Sequence, residues 1–292
     1  MASDTRGATL GLFLGKESVV AVFVRTDHGR TRITASAQTT APSGSMTEGA
    51  VMDPVRLGHT IRILLKSMKA HPSSAYVAVS PEVCGMRAFR LPEAPVRERR
   101  ALVRGELETV EALRLGAGAF DFLWSEAPSD NAAKQADVFA FYCDDPVVDS
   151  IRETLDVAGL RLEAMEPYSI AVIRAYLAMH SAERPVGLLC PSANHSDLCI
   201  LDGKQARYLR RIVGGWDEIR NLRPTGADHR PAPPQGQSSQ LGGGEASVTE
   251  SPVLTADAAV RGFLASDVAR SFAFYEREYR DAPPPEELVV LT

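Results

Sequence analysis

The sequence predicts a mixed α/β chain built as two related units. Three observations carry this. Strand and helix patterns alternate along the chain. Each half opens on strands joined by tight turns before its helices. The 292 residues are too many for one small domain and suit two. Hydrophobic residues make up 45% and charged residues 24%, the balance of an ordinary globular protein.

The elements follow in order. Leu10, Leu12 and Leu14 alternate with Gly11, Phe13 and Gly15, and Val20, Val22 and Val24 resume after a tight turn at 15–18. Arg32 to Ala37 supplies a third strand of period two. Asp53 is an acidic cap with Pro54 at the first helical position, and Leu57, Ile61, Leu64 and Met68 give one apolar face. His71-Pro72 ends that helix, and Tyr76 to Val79 is a short buried strand. A second group runs from the strand Met86–Leu91 into a helix opened by Pro95, with Val96, Val103, Leu107 and Val110 inward. Phe120–Trp124 and Val138–Tyr142 are strands flanking the polar loop 128–131. Pro146 starts a helix closed by Gly159, Leu162–Met165 is a strand, and Pro167 begins a helix with Ile170, Ile173 and Leu177. Three strands follow at 186–189, 198–201 and 207–209, the last two joined at Asp202-Gly203. Residues 223–252, rich in Pro, Gly, Gln and Ser, read as a flexible loop. The final helix carries a stripe of Val260, Leu264, Val268, Phe272, Tyr275 and Tyr279, and Leu288–Thr292 begins a buried strand. Ending on a core strand reads as a truncated second unit.

Charge and composition exclude several classes. A net charge of −5 gives no electrostatic reason to expect nucleic acid. No apolar run of membrane-spanning length is present, and the first fifteen residues lack the marks of a signal peptide. The four scattered cysteines (Cys84, Cys143, Cys190, Cys199) read as core thiols of a cytosolic protein, and the six histidines show no paired ligand spacing, so no metal is expected.

The segments GLFLGKESVVAV at 11–22, EGAVMDP at 48–54, RLPEAP at 90–95, Ala158-Gly159-Leu160 with Glu166-Pro167, Val213-Gly214-Gly215 and Phe274-Tyr275, taken in that order, are similar to the PilM family of type IV pilus assembly proteins, within the actin-like ATPase superfamily and close to FtsA in fold. Residues 11–22, GLFLGKESVVAV, resemble the family's opening GIDIGSSSVKAV; 48–54 resemble DGxIxDP; 90–95 resemble RLPxMP. Ala158-Gly159-Leu160 with Glu166-Pro167 resembles the AAGL…EP link, Val213-Gly214-Gly215 the VGG after the third strand of the second half, and Phe274-Tyr275 the SLxFY of the last helix. The resemblance implies a two-lobed, ribonuclease H-like α/β fold. Residues 1–83 would start the first lobe, 84–160 an inserted small α+β subdomain, 161–184 a helix returning to the first lobe, and 185–292 a reduced second lobe. It also implies partners: the cytoplasmic tail of a PilN-like membrane protein in a groove between first lobe and insert, the pilus motor ATPase and platform protein, and a ring of copies at the inner membrane.

The same resemblance marks a decayed nucleotide site. The first phosphate turn falls on Gly11, Phe13, Gly15 and Lys16, with phenylalanine where the family has aspartate. The second falls on Cys190 to His195, with Cys190 for aspartate and Ser192 for glycine, while Gly214 and Gly215 keep the VGG. A magnesium ion needs hard oxygen ligands, and no carboxylate stands locally for the two lost ones. The expectation is a cytoplasmic, non-catalytic scaffold without cofactor. The alternatives are an actin-like ATPase or sugar kinase with unusual residues, and the cytoplasmic domain of a type II secretion platform protein.

Other constellations weigh less. Gly11 to Lys16 is one residue short of a P-loop and lies between strands. Ser192, His195 and Asp197 are too close in sequence to converge as a triad. Arg97, Arg99, Arg100 and Arg104 form a solvated helix face or a contact for an acidic partner or anionic headgroups. Candidates for the groove wall are Phe89, Leu91, Val103, Leu107 and Phe139, each equally readable as the insert's own core.

Overall fold

The computed structural model describes residues 8–28, 30–109, 119–126, 135–180, 184–216, 258–279, 284–285 and 287–291. The alternating opening folds as an antiparallel meander of β1 (Thr9–Leu14), β2 (Ser18–Asp27) and β3 (Arg30–Thr40). The first turn closes where the Gly15 amide donates to the Ser18 carbonyl at 2.9 Å. A small hairpin, β4 (Met46–Thr47) and β5 (Ala50–Val51), leads to α1 (Pro54–Ser67). The Asp53 carboxylate caps α1 by accepting from the Arg56 amide at 2.9 Å. Then β6 (Ser74–Val79) joins β1 in parallel, and β10 (Arg161–Pro167), far along the chain, joins β6. The first sheet therefore runs β10-β6-β1-β2-β3.

Between β6 and β10 the chain makes a 3-10 turn at Pro81–Val83 and a small inserted sheet. β7 (Gly85–Pro92), α2 (Val96–Thr109), β8 (Ala119–Ser125) and β9 (Gln135–Cys143) give a three-stranded sheet of order β7-β9-β8. Its own core holds Leu91, Val103, Leu107, Phe120 and Val138. Val96, expected inward, is 78% exposed, because it lies at the first helical residue, beyond the reach of the sheet. Val110 lies outside the described residues.

α3 (Asp145–Ala158), ended by Gly159 in the left-handed conformation (φ 81°), corrects the expected boundary at 160. Its residues Ile151 and Leu155 share one core with Leu57 and Ile61 of α1 and with Leu10, Leu12 and Leu14 of β1. The helix thus layers onto the first sheet rather than onto the insert. Gly58 permits the approach: a Cβ there would lie 2.5 Å from the Thr154 carbonyl oxygen.

α4 (Tyr168–Met179) follows β10, but Ile170 and Ile173 pack with Leu188, Cys190 and Leu201 of the second unit. It therefore bridges the lobes rather than returning to the first alone. The second sheet comprises β11 (Val186–Pro191), β12 (His195–Asp202), β13 (Gln205–Val213) and β14 (Glu287–Val290), in the order β13-β12-β11-β14. Its β13-β12-β11 meander with β14 parallel to β11 repeats β3-β2-β1 with β6. α5 (Ala258–Glu278) buries Val268 and Tyr275, as its stripe predicts; the side chains of Val260 and Leu264 lie outside the described set. The last strand was expected to be buried, yet Leu288 and Val290 are each 39% exposed, because β14 is the sheet's edge among the described residues. The loop expected at 223–252 lies outside the described residues.

Candidate functional site

At the first turn, Phe13 projects from β1 on the face opposite the core and packs against Tyr168, ring centroids 4.9 Å apart. The ring also folds back over the turn. A Cβ at Gly15 would lie 2.8 Å from it, so any larger residue there would make the ring shift. Gly11 sits within β1 with no such crowding, and Lys16 is exposed.

At the second turn Cys190 is fully buried against α4, and burial, then the nearby Asp197 carboxylate, push its thiol up to about 12. The Ser192 amide donates to the His195 carbonyl at 2.7 Å, and the Trp216 amide donates to the Ser192 carbonyl at 2.8 Å. Gly214 is left-handed (φ 117°), and a Cβ at Gly215 would lie 2.4 Å from the Ser192 oxygen. The paired glycines let the exit of β13 cross directly over the turn.

Two carboxylates stand at this turn, which corrects the expectation of none. Asp197, opposite Cys190 on β12, accepts from Ser169 Oγ at 2.6 Å and from Arg211 Nε at 2.9 Å. Arg211 Nη1 donates onward to the Pro81 and Cys84 carbonyls, both at 2.8 Å, and so ties the 3-10 turn of the first unit to the second sheet. Glu82, from that 3-10 turn, accepts from Ser192 Oγ at 2.8 Å and from the Asn194 amide at 3.4 Å, and Ser80 donates to its other oxygen. Burial pushes the Glu82 carboxyl up, but the hydrogen bonds from Ser80, Ser192, its own amide and Asn194 outweigh it and hold it below the usual range. Ser192, His195 and Asp197 make no relay: the Ser192 hydroxyl is within reach of Glu82 and the His195 carbonyl, and His195 Nδ1 is buried without a hydrogen bond. Glu82 and Arg211 were invisible as site residues, since the bonds by which each crosses between the units join positions over a hundred residues apart in sequence.

A second feature opens on the outer face of the first sheet. Val20, Val22 and Val24 alternate with the core residues Val19, Ala21 and Phe23, and so point away from α1 and α3. With Phe13, Tyr76 and Ala78 they floor a groove of about 870 Å³. Phe120, Phe122 and Tyr142 of the small sheet and Tyr168 of α4 wall it; Arg152, Glu163 and Arg174 also line it. Tyr142 lies across Gly85, where a Cβ would meet its ring at 2.0 Å. None of the five expected wall residues lines it. Leu91, Val103 and Leu107 form the insert's core, Phe89 packs on that core, and Phe139 enters the core shared with the second sheet. Phe13, which the resemblance places where the family has aspartate, is also part of the groove floor. The α2 arginines are engaged locally: Arg99 lies over Trp124 at 4.7 Å and Arg100 over Phe120 at 4.3 Å.

No protein-family model matches the chain, and no curated protein matches it in sequence. Solved structures do. The fold is similar to that in a PilM–PilN type IV pilus biogenesis complex, with a TM-score of 0.69 and 22% identity over 97% of this chain and 80% of that one. The cytoplasmic domain of EpsL, an inner-membrane component of the type II secretion system of Vibrio cholerae, gives a TM-score of 0.44 at 13% identity, covering 70% of this chain and 71% of that one. The ethanolamine utilization protein EutJ from Carboxydothermus hydrogenoformans gives 0.41 at 13%, covering 74% and 55%. The fold is the actin-like one that the sequence motifs imply.

Proposed function

We propose that the chain is a non-catalytic scaffold of the type IV pilus inner-membrane platform, peripheral to the membrane, and that its groove holds the cytoplasmic tail of a PilN-like membrane protein. The observation that carries this is the open apolar groove between the first sheet and the inserted sheet, in a fold similar to that of a PilM–PilN complex. An extended peptide with alternating apolar side chains suits it: valine rows on one side, aromatic rings on the other, and charges at hand for a polar backbone. Among the described residues no helix is long and apolar enough to cross a membrane, so attachment through a partner's tail fits. Contacts with the motor ATPase and platform protein, and assembly into a ring, extend the same reading.

The reading includes the absence of ATPase activity. Phenylalanine stands at the first turn in place of a carboxylate, and both carboxylates at the second are already bonded to Arg211, Ser169, Ser80 and Ser192. Neither is free to order a hydrated magnesium ion. The decisive experiment titrates the N-terminal tail peptide of the PilN-like protein against the full chain by fluorescence anisotropy. Saturable binding is expected, weakened at least about tenfold by Val22→Asp, which sets a charge on the apolar floor. No binding, or binding indifferent to Val22→Asp, refutes the groove assignment.

A further inference from the structure

We propose that Cys84 and Cys143 form a redox-sensitive dithiol, which a small hydroperoxide converts to a disulfide that locks the inserted sheet at its base. The antiparallel ladder between β7 and β9 ends at Gly85 opposite Tyr142. One step further, Cys84 keeps an extended backbone (φ −118°, ψ 129°) and Cys143 is the last residue of β9, so the two face each other across the strands. Directly opposed residues of an antiparallel pair have Cα atoms about 4.5–5.5 Å apart, inside the span of about 4.4–6.8 Å that a disulfide bridges. Successive side chains alternate in face, so both cysteines leave the face of Tyr142, and both enter the core that α1 and α3 make with the first sheet. Their sulfurs are in hydrogen-bond contact. Both also line the groove, whereas Cys190 and Cys199 do not.

The surroundings divide the roles. The hydrogen bond from Cys84 holds the Cys143 thiol below its ordinary value, outweighing burial and the Asp144 and Asp145 carboxylates, while that same bond and burial push the Cys84 thiol up. Cys143 is therefore the attacking sulfur. Its thiolate attacks one oxygen of hydrogen peroxide, the O–O bond breaks, and the leaving hydroxide takes up the proton that the thiol gave, leaving a sulfenic acid and water. The Cys84 sulfur then attacks the Cys143 sulfur. The S–S bond forms, the S–O bond breaks, and the hydroxide leaves with the Cys84 proton as a second water. The two thiols together lose one electron pair, and the peroxide gains it. Cys84 and Cys143 are only 6% and 5% exposed, so the oxidant is one small enough to enter through the groove. Burial pushes the Cys190 and Cys199 thiols up, Cys190 to about 12, which leaves them poor competitors. The small sheet lies wholly between the two cysteines in sequence, so the bond closes it into a loop and fixes the groove's wall against its floor. The regulatory use rests on the proposed scaffold working in a reducing compartment, where disulfides are usually transient and redox-sensing.

The test treats the full chain with hydrogen peroxide, unfolds it, alkylates the remaining thiols and maps the peptides without reductant. A reducible link between the peptides of Cys84 and Cys143 is expected, with Cys190 and Cys199 alkylated. Four thiols alkylated alike, or a link that joins other cysteines instead, overturns the proposal. In Cys84→Ser the sulfenic acid has no second thiol beside it, and dimedone is expected to trap it on Cys143; a folded variant without that label overturns the assigned roles. Should the variant fail to fold, the wild-type map decides alone. The linked chain is expected to melt at a higher temperature than the reduced one, because the crosslink restricts the unfolded chain. An unshifted or lower melt overturns the lock. The tail peptide is titrated separately into the reduced chain. Failure to bind there sinks the groove and not the link, and failure to link sinks the switch and not the groove.

Discussion

Tyr275 is fully buried, and its hydroxyl finds no hydrogen bond among the described residues. An unpaired buried hydroxyl costs about 1–3 kcal/mol, whereas removing it leaves the ring packing intact. Tyr275→Phe is therefore expected to leave stability unchanged or raise it by up to about 1 kcal/mol in urea unfolding, an unusual outcome for a core substitution. Glu82 gives the pH counterpart. Its native carboxyl is held below its ordinary value by the hydroxyls of Ser80 and Ser192 and the amides of Glu82 and Asn194, with His195 and Arg211 the charged or titratable neighbours. A depressed native value means that its contribution is complete above the ordinary carboxylate range and is lost as pH falls through the native one. Glu82→Gln should flatten that acid limb of the stability curve while leaving the neutral and alkaline limbs parallel to wild type.

Between elements, α1 approaches α3 closely at Gly58. Alanine in a helix interior gains about 1 kcal/mol over glycine. Here its Cβ would meet a carbonyl oxygen of α3 at 2.5 Å and the Val157 Cβ at 2.7 Å, and both belong to backbone or to the base of a side chain. Overpacking of that kind costs about 1–3 kcal/mol, so Gly58→Ala is expected to be neutral to destabilising and Gly58→Val clearly destabilising by thermal melting. The Asp197–Arg211 pair joins β12, β13 and the 3-10 turn. Asp197 is 1% exposed. Arg211→Met strands that charge and should cost about 3–5 kcal/mol, with less lost when Asp197→Asn is made in the same chain.

Across the whole molecule, the junction between lobes is fastened by groups of the chain itself. Arg211 and Glu82 both cross it, and α4 packs onto the second sheet as it leaves the first. A nucleotide that bound the native state would raise the melting temperature through mass action. With phenylalanine at the first turn and the carboxylates at the second already bonded, adding millimolar Mg-ATP is expected to leave the melting curve unmoved, and a clear upward shift would contradict the pseudo-ATPase reading.

The sequence by itself determined the elements and the fold they imply. Alternating leucines and valines set the first meander, Asp53-Pro54 and Gly159 marked helix ends, and the order of short motifs implied two actin-like lobes. These signals are local, fixed by side-chain period and by backbone chemistry within a few residues. Tertiary structure alone decided the sites. Periodicity groups side chains by face but does not say what covers each face. So Leu91, Val103 and Leu107 went to the insert's core, and Val20, Val22 and Val24 to an open groove. Nor does it show that a glutamate at position 82 meets a serine at 192, since a contact between lobes depends on how separately patterned layers dock.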